Sequence, residues 1–420
     1  MTDNRIVIYL NWDGFAHYYY QRASAKNLVP TLDRLRTEGV FLANARSGIP
    51  SITNPMQSAI ASGAYAGKTG NVKVFYNKRD RIVVEQRREN KAETIVDALY
   101  RQGLGVASVH HFTFEEQGTY AGDTERPFIF LPMSTYQQRF DQLYRLLAGK
   151  PVYSGDQMIS ITSPIHFVAV YLDDLDTIGH NNGKLAPIAA HEEERIATVL
   201  WRLNQLDTAL GILLERLAAL DSFEQMAFFL VTDHGMTPFS FDDTSLAAYQ
   251  DLLSCIGSFG YTYEVLRPGE KPKEGTDIVL CSAGLSLLLS FTEPPPTDAI
   301  DTLQQVIARK GYVGKVLNSK EIQATGSADF CDLYISPIPP YIFKDFAPQV
   351  GATHDSLDES SQHVFSLLWG SGIKKNIQIT RPVKIIDFAS TIACLLHADA
   401  PLQNEGSPIL EALELGQGEL

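Results

Sequence analysis

The tetrapeptide Thr232-Asp233-His234-Gly235 places a carboxylate and an imidazole side by side, directly behind the apolar run Met226–Val231. Such a run predicts a buried parallel strand. The carboxyl ends of parallel strands open into the crevice where α/β sheets hold their ligands. Because carboxylate oxygens and imidazole nitrogens together suit a divalent metal ion of the zinc type, the tetrapeptide predicts a metal site at a strand end.

Other segments carry side chains of the same kind. The candidates are Asp13, the pair Asp176 and His180, and His354. Each of these residues, considered alone, is explained equally well as an ordinary turn or loop residue. However, Asp13, Asp176 and Asp233 all follow apolar runs, so a parallel sheet would gather them at one edge, where carboxylates repel unless cations hold them together. Two metal ions at that edge could polarise a phosphoryl group and stabilise the attacking and leaving oxygens.

Thr53 is the candidate nucleophile. It stands at the start of a predicted helix that continues to Ser62 and ends at Gly63, and a helix N-terminus attracts anions through its backbone N–H groups and its dipole. A threonine hydroxyl bound to a metal ion ionises more readily, which makes it a usable nucleophile near neutral pH. The alternative is that Thr53 only caps the helix. The metal-ligand candidates elsewhere in the chain favour the nucleophile.

Strands and helices alternate along most of the chain. Helices are predicted from Pro30 to Gly39, over 53–62, over 91–101 and over 189–220, with apolar strands between them. A strand over 364–369 and a helix over 386–397 follow near the end of the chain. This alternation predicts an α/β fold with a mostly parallel central sheet and helices on both faces.

One region differs from the rest of the chain in its composition and in the length of its apolar runs. Between about 239 and 350, proline and glycine cluster among short strand-like runs such as Ile278–Cys281. We interpret this region as an inserted, smaller α+β unit. The expected domains are therefore a catalytic core of residues 1–240 and 350–420 and a cap that determines substrate specificity, residues 241–349.

Length and charge limit the possible functions. A chain of 420 residues can hold one large domain with an insertion. Its net charge of −14 argues against binding nucleic acid or an anionic membrane through a basic patch. No stretch has the length and apolarity of a membrane span, and the first residues lack the pattern of a secretory signal. We therefore expect a cytoplasmic protein with a small-molecule substrate, while its oligomeric state stays open.

These motifs resemble the alkaline phosphatase superfamily, and within it the type I phosphodiesterase/nucleotide pyrophosphatase branch, which includes phosphonoacetate hydrolases. The resemblance is carried by Asn11–Gly14, Ile52–Pro55 through Ser62-Gly63, Asp176–His180, Val231–Met236 and His354. It covers the predicted core in motif order, whereas the predicted cap matches only in its point of insertion. The resemblance implies an alkaline phosphatase-like fold.

The resemblance also implies a site with two divalent metal ions. Zinc is the expected metal, with manganese or iron as alternatives. One ion would be bound by Asp176, His180 and His354. The other would be bound by Asp13, Thr53, Asp233 and His234. Thr53 would attack phosphorus and form a covalent phosphothreonine that is then hydrolysed, as in a phosphodiesterase or nucleotide pyrophosphatase.

Departures from the family pattern leave the substrate open. Asn54 occupies the position after the nucleophile, where nucleotide pyrophosphatases typically carry an aromatic residue that stacks on the base and phosphonoacetate hydrolases carry asparagine. The lysine-bearing segment that binds the substrate carboxylate in those hydrolases is replaced here by His110-His111-Phe112. The asparagine that contacts the phosphoryl group has no clear equivalent, because Asn71 and Lys73 both lie near its expected position.

The candidates for substrate contact are therefore Asn54, Asn71, Lys73, His110 and His111. Two other reactions stay open on the same site: C–P bond hydrolysis of the phosphonoacetate hydrolase type, and phosphomonoester hydrolysis. From a different class, a non-catalytic metal-binding protein on this scaffold is less favoured, because all seven metal-site positions carry suitable residues.

Overall fold

The computed structural model of the chain describes residues 4–414. Residues 1–3 and 415–420, which are the outer ends of the predicted core segments, lie outside the described residues. The strands are β1 (Ile6–Trp12), β2 (Val40–Leu42), β3 (Ala45–Arg46), β4 (Val74–Asn77), β5 (Ile82–Glu85), β6 (Val106–Val109), β7 (Tyr120–Ala121), β8 (Pro127–Ile129), β9 (Val152–Ser154), β10 (Gln157–Ile159), β11 (Phe167–Leu172), β12 (Met226–Val231), β13 (Thr237–Ser240), β14 (Tyr263–Val265), β15 (Ile278–Ala283), β16 (Ser286–Phe291), β17 (Val313–Asn318), β18 (Leu333–Pro337), β19 (Val350–Thr353), β20 (His363–Val364), β21 (Leu367–Gly370), β22 (Ile377–Ile379) and β23 (Val383–Lys384).

Helices connect these strands. They are α1 (His17–Ser24), α2 (Pro30–Glu38), α3 (Thr53–Ser62), α4 (Ala66–Thr69), α5 (Ile95–Arg101), α6 (Tyr136–Leu147), α7 (Asp174–Gly179), α8 (Glu192–Leu217), α9 (Asp243–Gly257), α10 (Ala299–Ile307), α11 (Ser319–Ala324), α12 (Glu359–Gln362) and α13 (Asp387–Leu395). Among residues 4–414, no helix combines the length and the apolarity needed to cross a membrane.

The largest sheet has nine strands in the order β22-β2-β21-β12-β1-β11-β6-β8-β7. The strands from β12 to β7 in this order pair in parallel, and β21 runs antiparallel to both of its neighbours. The prediction of a mostly parallel sheet is therefore confirmed. In β1, Asn11 lies opposite Tyr171 of β11 and Val231 of β12, so the residues that follow these three strands emerge together at one edge.

Successive residues of the central strand β1 face opposite sides of the sheet. Ile8 and Leu10 belong to an apolar cluster that includes residues of α1, α2, α6 and α8. Val7 and Tyr9 belong to a second cluster with α3, α5 and α13. Helices thus cover both faces, which explains why the buried strands are apolar along their whole length and do not alternate.

A second sheet has five strands in the order β14-β15-β16-β18-β17. Helices α9 and α10 cover one of its faces, where Leu252 and Leu303 join the apolar residues of the strands. The other face packs against the segment before α3 and the hairpin β4–β5, since Val279 shares an apolar cluster with Ile52 and Val74. The second sheet is therefore in direct contact with the chain that leads to Thr53.

The helices predicted over 189–220 and 386–397 are shorter by a few residues, and two other elements differ more from the sequence prediction. The helix expected over 91–101 begins only at Ile95, because the Thr94 side chain accepts a hydrogen bond from the Asp97 N–H and caps it there. The strand expected over 364–369 is divided into β20 and β21, which belong to different sheets. The division occurs at Phe365, whose N–H donates to the carbonyl of Phe15 in the turn after β1.

Candidate metal centre

Asp233 and His234 follow β12 and are completely buried. Two backbone donors orient the Asp233 carboxylate: the N–H groups of Gly14 and His234 lie 3.4 and 3.0 Å from its Oδ1. Gly235 is required by close packing, because a Cβ at this position would lie 2.1 Å from the carbonyl oxygen of Ser360. The turn after β12 therefore holds both side chains in fixed positions.

The His234 ring joins the nucleophile candidate to two carboxylates. Its Nε2 lies 3.0 Å from Thr53 Oγ1, 3.3 Å from Asp13 Oδ1 and 3.5 Å from Asp233 Oδ2. Its Nδ1 lies 3.0 Å from the carbonyl oxygen of Gly235. Since a carbonyl can only accept, Nδ1 donates to it and Nε2 is the ring nitrogen that faces the oxygens of the site. Thr53 is the first residue of α3, and its hydroxyl forms a hydrogen bond with this nitrogen.

The second group of candidate ligands lies beside the first. Asp176 Oδ1 lies 3.2 Å from His180 Nε2 and 3.9 Å from His354 Nε2. Asp176 is inside the short helix α7 and His180 follows its end, so a spacing of four residues brings the two side chains together. His354 arrives from a distant part of the chain, directly after β19.

Ligand atoms fall into two sets whose members lie within 4.8 Å of one another: Asp13, Asp233 and His234, and Asp176, His234 and His354. The sets differ from the assignment implied by the family resemblance, because His234 occurs in both and His180 in neither. The centroids of the His234 and His354 rings are 4.2 Å apart. The two sets are thus adjacent, and His234 lies between them.

Burial and neighbouring charges shift the pKa values of the carboxyl groups in this cluster. Burial, together with the nearby carboxylates of Asp233 and Asp176, raises the pKa of Asp13 well above its ordinary value. Burial also raises the pKa of Asp176, but His180 and the other histidines outweigh it, so the net pKa of that carboxyl is lowered. The cluster places three carboxylates in a low-dielectric interior, where like charges oppose ionisation.

The candidate ligands have hydrogen-bonding capacity that the surrounding protein does not use. Four buried atoms of this cluster have no hydrogen-bond partner among residues 4–414: Oδ1 of Asp13, Oδ1 of Asp176, Oδ2 of Asp233 and Nδ1 of His354. Leaving a buried polar group unsatisfied costs about 1–3 kcal/mol, and more if it is charged. Divalent cations would coordinate carboxylate oxygens and offset their repulsion. The donor set therefore fits two divalent metal ions.

Tyr171 belongs to the site and was missed at the level of sequence. It lies in β11, is almost fully buried, and donates its hydroxyl to Oδ2 of Asp13. The contact follows from the register that pairs Tyr171 with Asn11, two residues before Asp13. A tyrosine near the carboxyl end of an otherwise apolar strand was the available signal, because a buried hydroxyl needs a partner.

The substrate-contact candidates near Thr53 differ in what their side chains already bind. Asn54 is half-buried, next to Thr53 on the first turn of α3. The amide nitrogen of Asn71 donates to the carbonyls of Arg87 and Glu89 at 3.1 and 3.0 Å. Lys73 Nζ is 2.7 Å from Glu85 Oε1 within the hairpin β4–β5. The substrate roles of these three residues stay predictions.

His110 and His111 follow β6 and pack inside the fold. His110 Nδ1 accepts a hydrogen bond from the Leu131 N–H at 3.1 Å, and burial lowers the pKa of its ring to about 4. His111 is enclosed by aromatic rings, including Tyr9 and Tyr171, and neither of its ring nitrogens has a hydrogen-bond partner. Burial lowers its pKa to about 3. Their proposed contact with substrate stays a prediction.

Comparison with known proteins gives a consistent result. Residues 7–267 match the family model of type I phosphodiesterase / nucleotide pyrophosphatase. Mouse ectonucleotide pyrophosphatase/phosphodiesterase family member 1 is 25% identical over 228 residues, which cover 53% of this chain and 23% of that protein. Bovine family member 3 is 26% identical over 240 residues, which cover 55% of this chain and 25% of that protein. The chain thus spans about a quarter of the length of these curated relatives.

Among solved structures, human ectonucleotide pyrophosphatase / phosphodiesterase 5 is similar to this chain with a TM-score of 0.66 and 14% identity. The match covers 98% of this chain and 100% of the human one. At this level of identity the likeness shows a shared fold, namely the alkaline phosphatase-like α/β fold.

Proposed function

The chain belongs to the type I phosphodiesterase/nucleotide pyrophosphatase family, and on this premise we propose that it hydrolyses phosphoesters with two divalent metal ions and with Thr53 as the nucleophile. One observation carries the proposal: Thr53 Oγ1 lies 3.0 Å from His234 Nε2, beside the carboxylates of Asp13 and Asp233. A threonine that only capped its helix would need none of these neighbours.

The side chains that would hold the ions are the predicted ones, Asp13, Thr53, Asp233 and His234 on one side and Asp176, His180 and His354 on the other. The ligand-atom sets support this grouping except that His234 occurs in both sets, and His180 lies outside them with its Nε2 3.2 Å from Asp176. Mixed oxygen and nitrogen donors favour zinc, and manganese or iron accept the same donors. When bound, the ions would supply Lewis-acid polarisation of the phosphoryl group and would lower the pKa of a nearby hydroxyl.

The chain's own groups perform the transfer. The N-terminus of α3 directs backbone N–H groups toward anionic phosphoryl oxygens. Thr53 Oγ1 forms a bond to phosphorus, while the bond from phosphorus to the leaving oxygen breaks with its electron pair, and the proton of the Thr53 hydroxyl ends on that leaving oxygen. Water then attacks the phosphothreonine, which releases the phosphoryl product and restores the Thr53 hydroxyl. Tyr171 holds Asp13 in place throughout.

The test compares Thr53→Ala with Thr53→Ser on nitrophenyl phosphate mono- and diesters. We expect Thr53→Ala to abolish turnover and Thr53→Ser to retain part of it, because serine keeps a hydroxyl at the same position. Metal content is measured on each variant, so that loss of turnover can be separated from loss of metal. Turnover by Thr53→Ala at the wild-type rate would disprove the role of Thr53.

A second candidate reaction is C–P bond hydrolysis of the phosphonoacetate hydrolase type. Asn54 favours it, because this half-buried residue beside Thr53 offers an amide where a nucleotide base would need an aromatic face. Phosphate release is measured across phosphonates, phosphomonoesters, phosphodiesters and nucleotides. Preference for phosphonates would select the second candidate, and preference for monoesters would select a phosphatase. A protein that binds zinc stoichiometrically but hydrolyses none of them would be a non-catalytic metal-binding protein.

We also propose that residues 241–349 form the inserted cap that determines substrate specificity. The proposal is supported by the second sheet, which packs against Ile52, directly before the nucleophile. The cytoplasmic location and the small-molecule substrate stay predictions.

A further inference from the structure

The turn between β15 and β16 of the second sheet touches the chain at the candidate metal ligand His354. The Leu285 N–H donates to the carbonyl of His354 at 3.2 Å. Gly284 allows this approach, because a Cβ there would lie 2.2 Å from the same carbonyl oxygen. The second sheet therefore contacts the backbone of the metal centre directly.

Asp355, the next residue, connects three parts of the molecule. Its backbone N–H donates to the carbonyl of Ser51 at 2.9 Å, and its carbonyl accepts a hydrogen bond from Ser286 Oγ at 2.6 Å. Its side-chain Oδ1 accepts the hydroxyl of Tyr334 from β18. Ser51 lies two residues before Thr53, so one residue joins the second sheet to both the ligand segment and the nucleophile segment.

The conformation of Asp355 is unusual for a residue with a side chain. Its φ is +64°, in the left-handed region, and its side chain is completely buried. A left-handed conformation costs free energy for a residue with a Cβ, although aspartate tolerates it better than most. Its second carboxylate oxygen, Oδ2, has no hydrogen-bond partner. Such costs are found where surrounding structure imposes them and are typical of functional sites.

We propose that Asp355 is a positioning residue, by which Tyr334 of the second sheet sets the place of His354 in the metal centre relative to Thr53. This inference rests on the proposed function, because it assumes that His354 binds a metal ion. Asp355 belongs to neither set of candidate ligand atoms and would act through the backbone on either side of it. The second sheet would then be part of the metal centre and not only a cover over the substrate.

The experiment measures zinc affinity, with zinc alone as the probe, in the full-length protein. Tyr334→Phe removes one hydroxyl and keeps the ring. Asp355→Gly removes the carboxylate and suits a φ of +64°. Asp355→Asn keeps an oxygen that can accept from Tyr334. The matched control is Tyr312→Phe, since the Tyr312 hydroxyl, directly before β17, also donates to an aspartate, Asp251, but at an exposed site.

We expect Tyr334→Phe and Asp355→Gly each to lower the affinity for one of the two zinc ions by about 10-fold or more. This is the usual effect of removing a group that orients a metal ligand. Asp355→Asn should restore most of this loss, and Tyr312→Phe should leave both equivalents unchanged. Wild-type zinc affinity in Tyr334→Phe would overturn the proposal, even if its melting temperature fell. If Asp355→Gly does not fold, the zinc affinity of Tyr334→Phe still decides whether the proposal is correct.

The two proposals can fail separately. If the wild-type protein binds two zinc ions but hydrolyses no phosphoester or phosphonate, the proposed function is wrong and the effect of Tyr334→Phe on zinc still tests the positioning role. If the wild-type protein is an active hydrolase and Tyr334→Phe binds zinc normally, the positioning role is wrong and the proposed function stands.

Discussion

The carboxamides of Asn11 and Gln57 bond to each other twice in the interior of the protein. Asn11 Nδ2 donates to Gln57 Oε1 at 3.1 Å, and Gln57 Nε2 donates to Asn11 Oδ1 at 2.9 Å. Asn11 lies two residues before Asp13, and Gln57 lies one helical turn after Thr53. The pair therefore ties the strand that carries a candidate metal ligand to the helix that carries the candidate nucleophile.

We predict that Gln57→Leu lowers both stability and turnover. It leaves Oδ1 of Asn11 buried without its partner, which costs about 1–3 kcal/mol of the free energy of unfolding. It also frees α3 to shift relative to β1, so kcat should fall. Urea unfolding and steady-state kinetics measure the two effects. Equal stability of Gln57→Leu and wild type would contradict this account.

Gly14 lies close to both groups of candidate ligands, since its N–H donates to Asp233 Oδ1 and its Cα faces the backbone of Asp176. It has a φ of +71°, and a Cβ there would lie 2.9 Å from the Cα of Asp176. Gly14→Ala should therefore displace Asp176 and weaken zinc binding and turnover. The control is Gly260→Ala, since Gly260 has a φ of +82° but nothing within 4 Å of a built Cβ. Both variants should lose about 1–2 kcal/mol of stability through the left-handed backbone, and only Gly14→Ala should lose zinc. Normal zinc affinity in Gly14→Ala would count against the close approach.

Removal of metal is predicted to destabilise the fold. Without cations, the carboxylates of Asp13, Asp176 and Asp233 repel one another in a buried site. Treatment with a chelator should lower the melting temperature, and added zinc should restore it. A ligand at about 100 times its dissociation constant stabilises the native state by about 2.7 kcal/mol. Asp233→Asn should respond less to zinc than wild type, because it removes one charged ligand. A melting temperature that is indifferent to both chelator and zinc would refute the metal centre.

Acid is predicted to destabilise the protein through its buried histidines. The pKa of His111 is lowered to about 3, whereas an unfolded chain protonates histidine near pH ~6.5. Below that pH the unfolded state binds a proton at this position, whereas His111 in the folded state stays unprotonated. The free energy of unfolding is therefore highest above pH ~6.5 and decreases as the pH falls toward about 3. His17, whose pKa burial lowers to about 4, acts in the same direction.

His111→Phe should therefore flatten the loss of stability between neutral and acid pH, because phenylalanine suits the aromatic surroundings and binds no proton. Urea unfolding at a series of pH values measures the slope. His191→Phe, at an exposed position, is the control and should leave the slope unchanged. An unaltered slope in His111→Phe would mean that His111 does not contribute to acid sensitivity.

The sequence alone predicted the mostly parallel sheet and the candidate ligands that the structure brings together at one edge of it. Apolar runs followed by Asp13, Asp176 and Asp233 predicted both a parallel sheet and the edge at which the ligands meet. The start of α3 at Thr53 and its end before Gly63, which has a φ of +64°, followed from local turn chemistry. These features are recorded in contiguous residues, because strand burial, helix ends and left-handed turns depend on neighbours a few positions away.

The tertiary structure alone decided which buried polar groups bind each other. Tyr171 donates to Asp13 from another strand, Gln57 pairs with Asn11 across the sheet, and Tyr334 reaches Asp355 from the second sheet. It also divided the expected strand over 364–369 between two sheets and placed His234 in both ligand sets. No local pattern records such partners, because a buried polar group is satisfied by whatever the packing of distant elements brings within hydrogen-bonding distance.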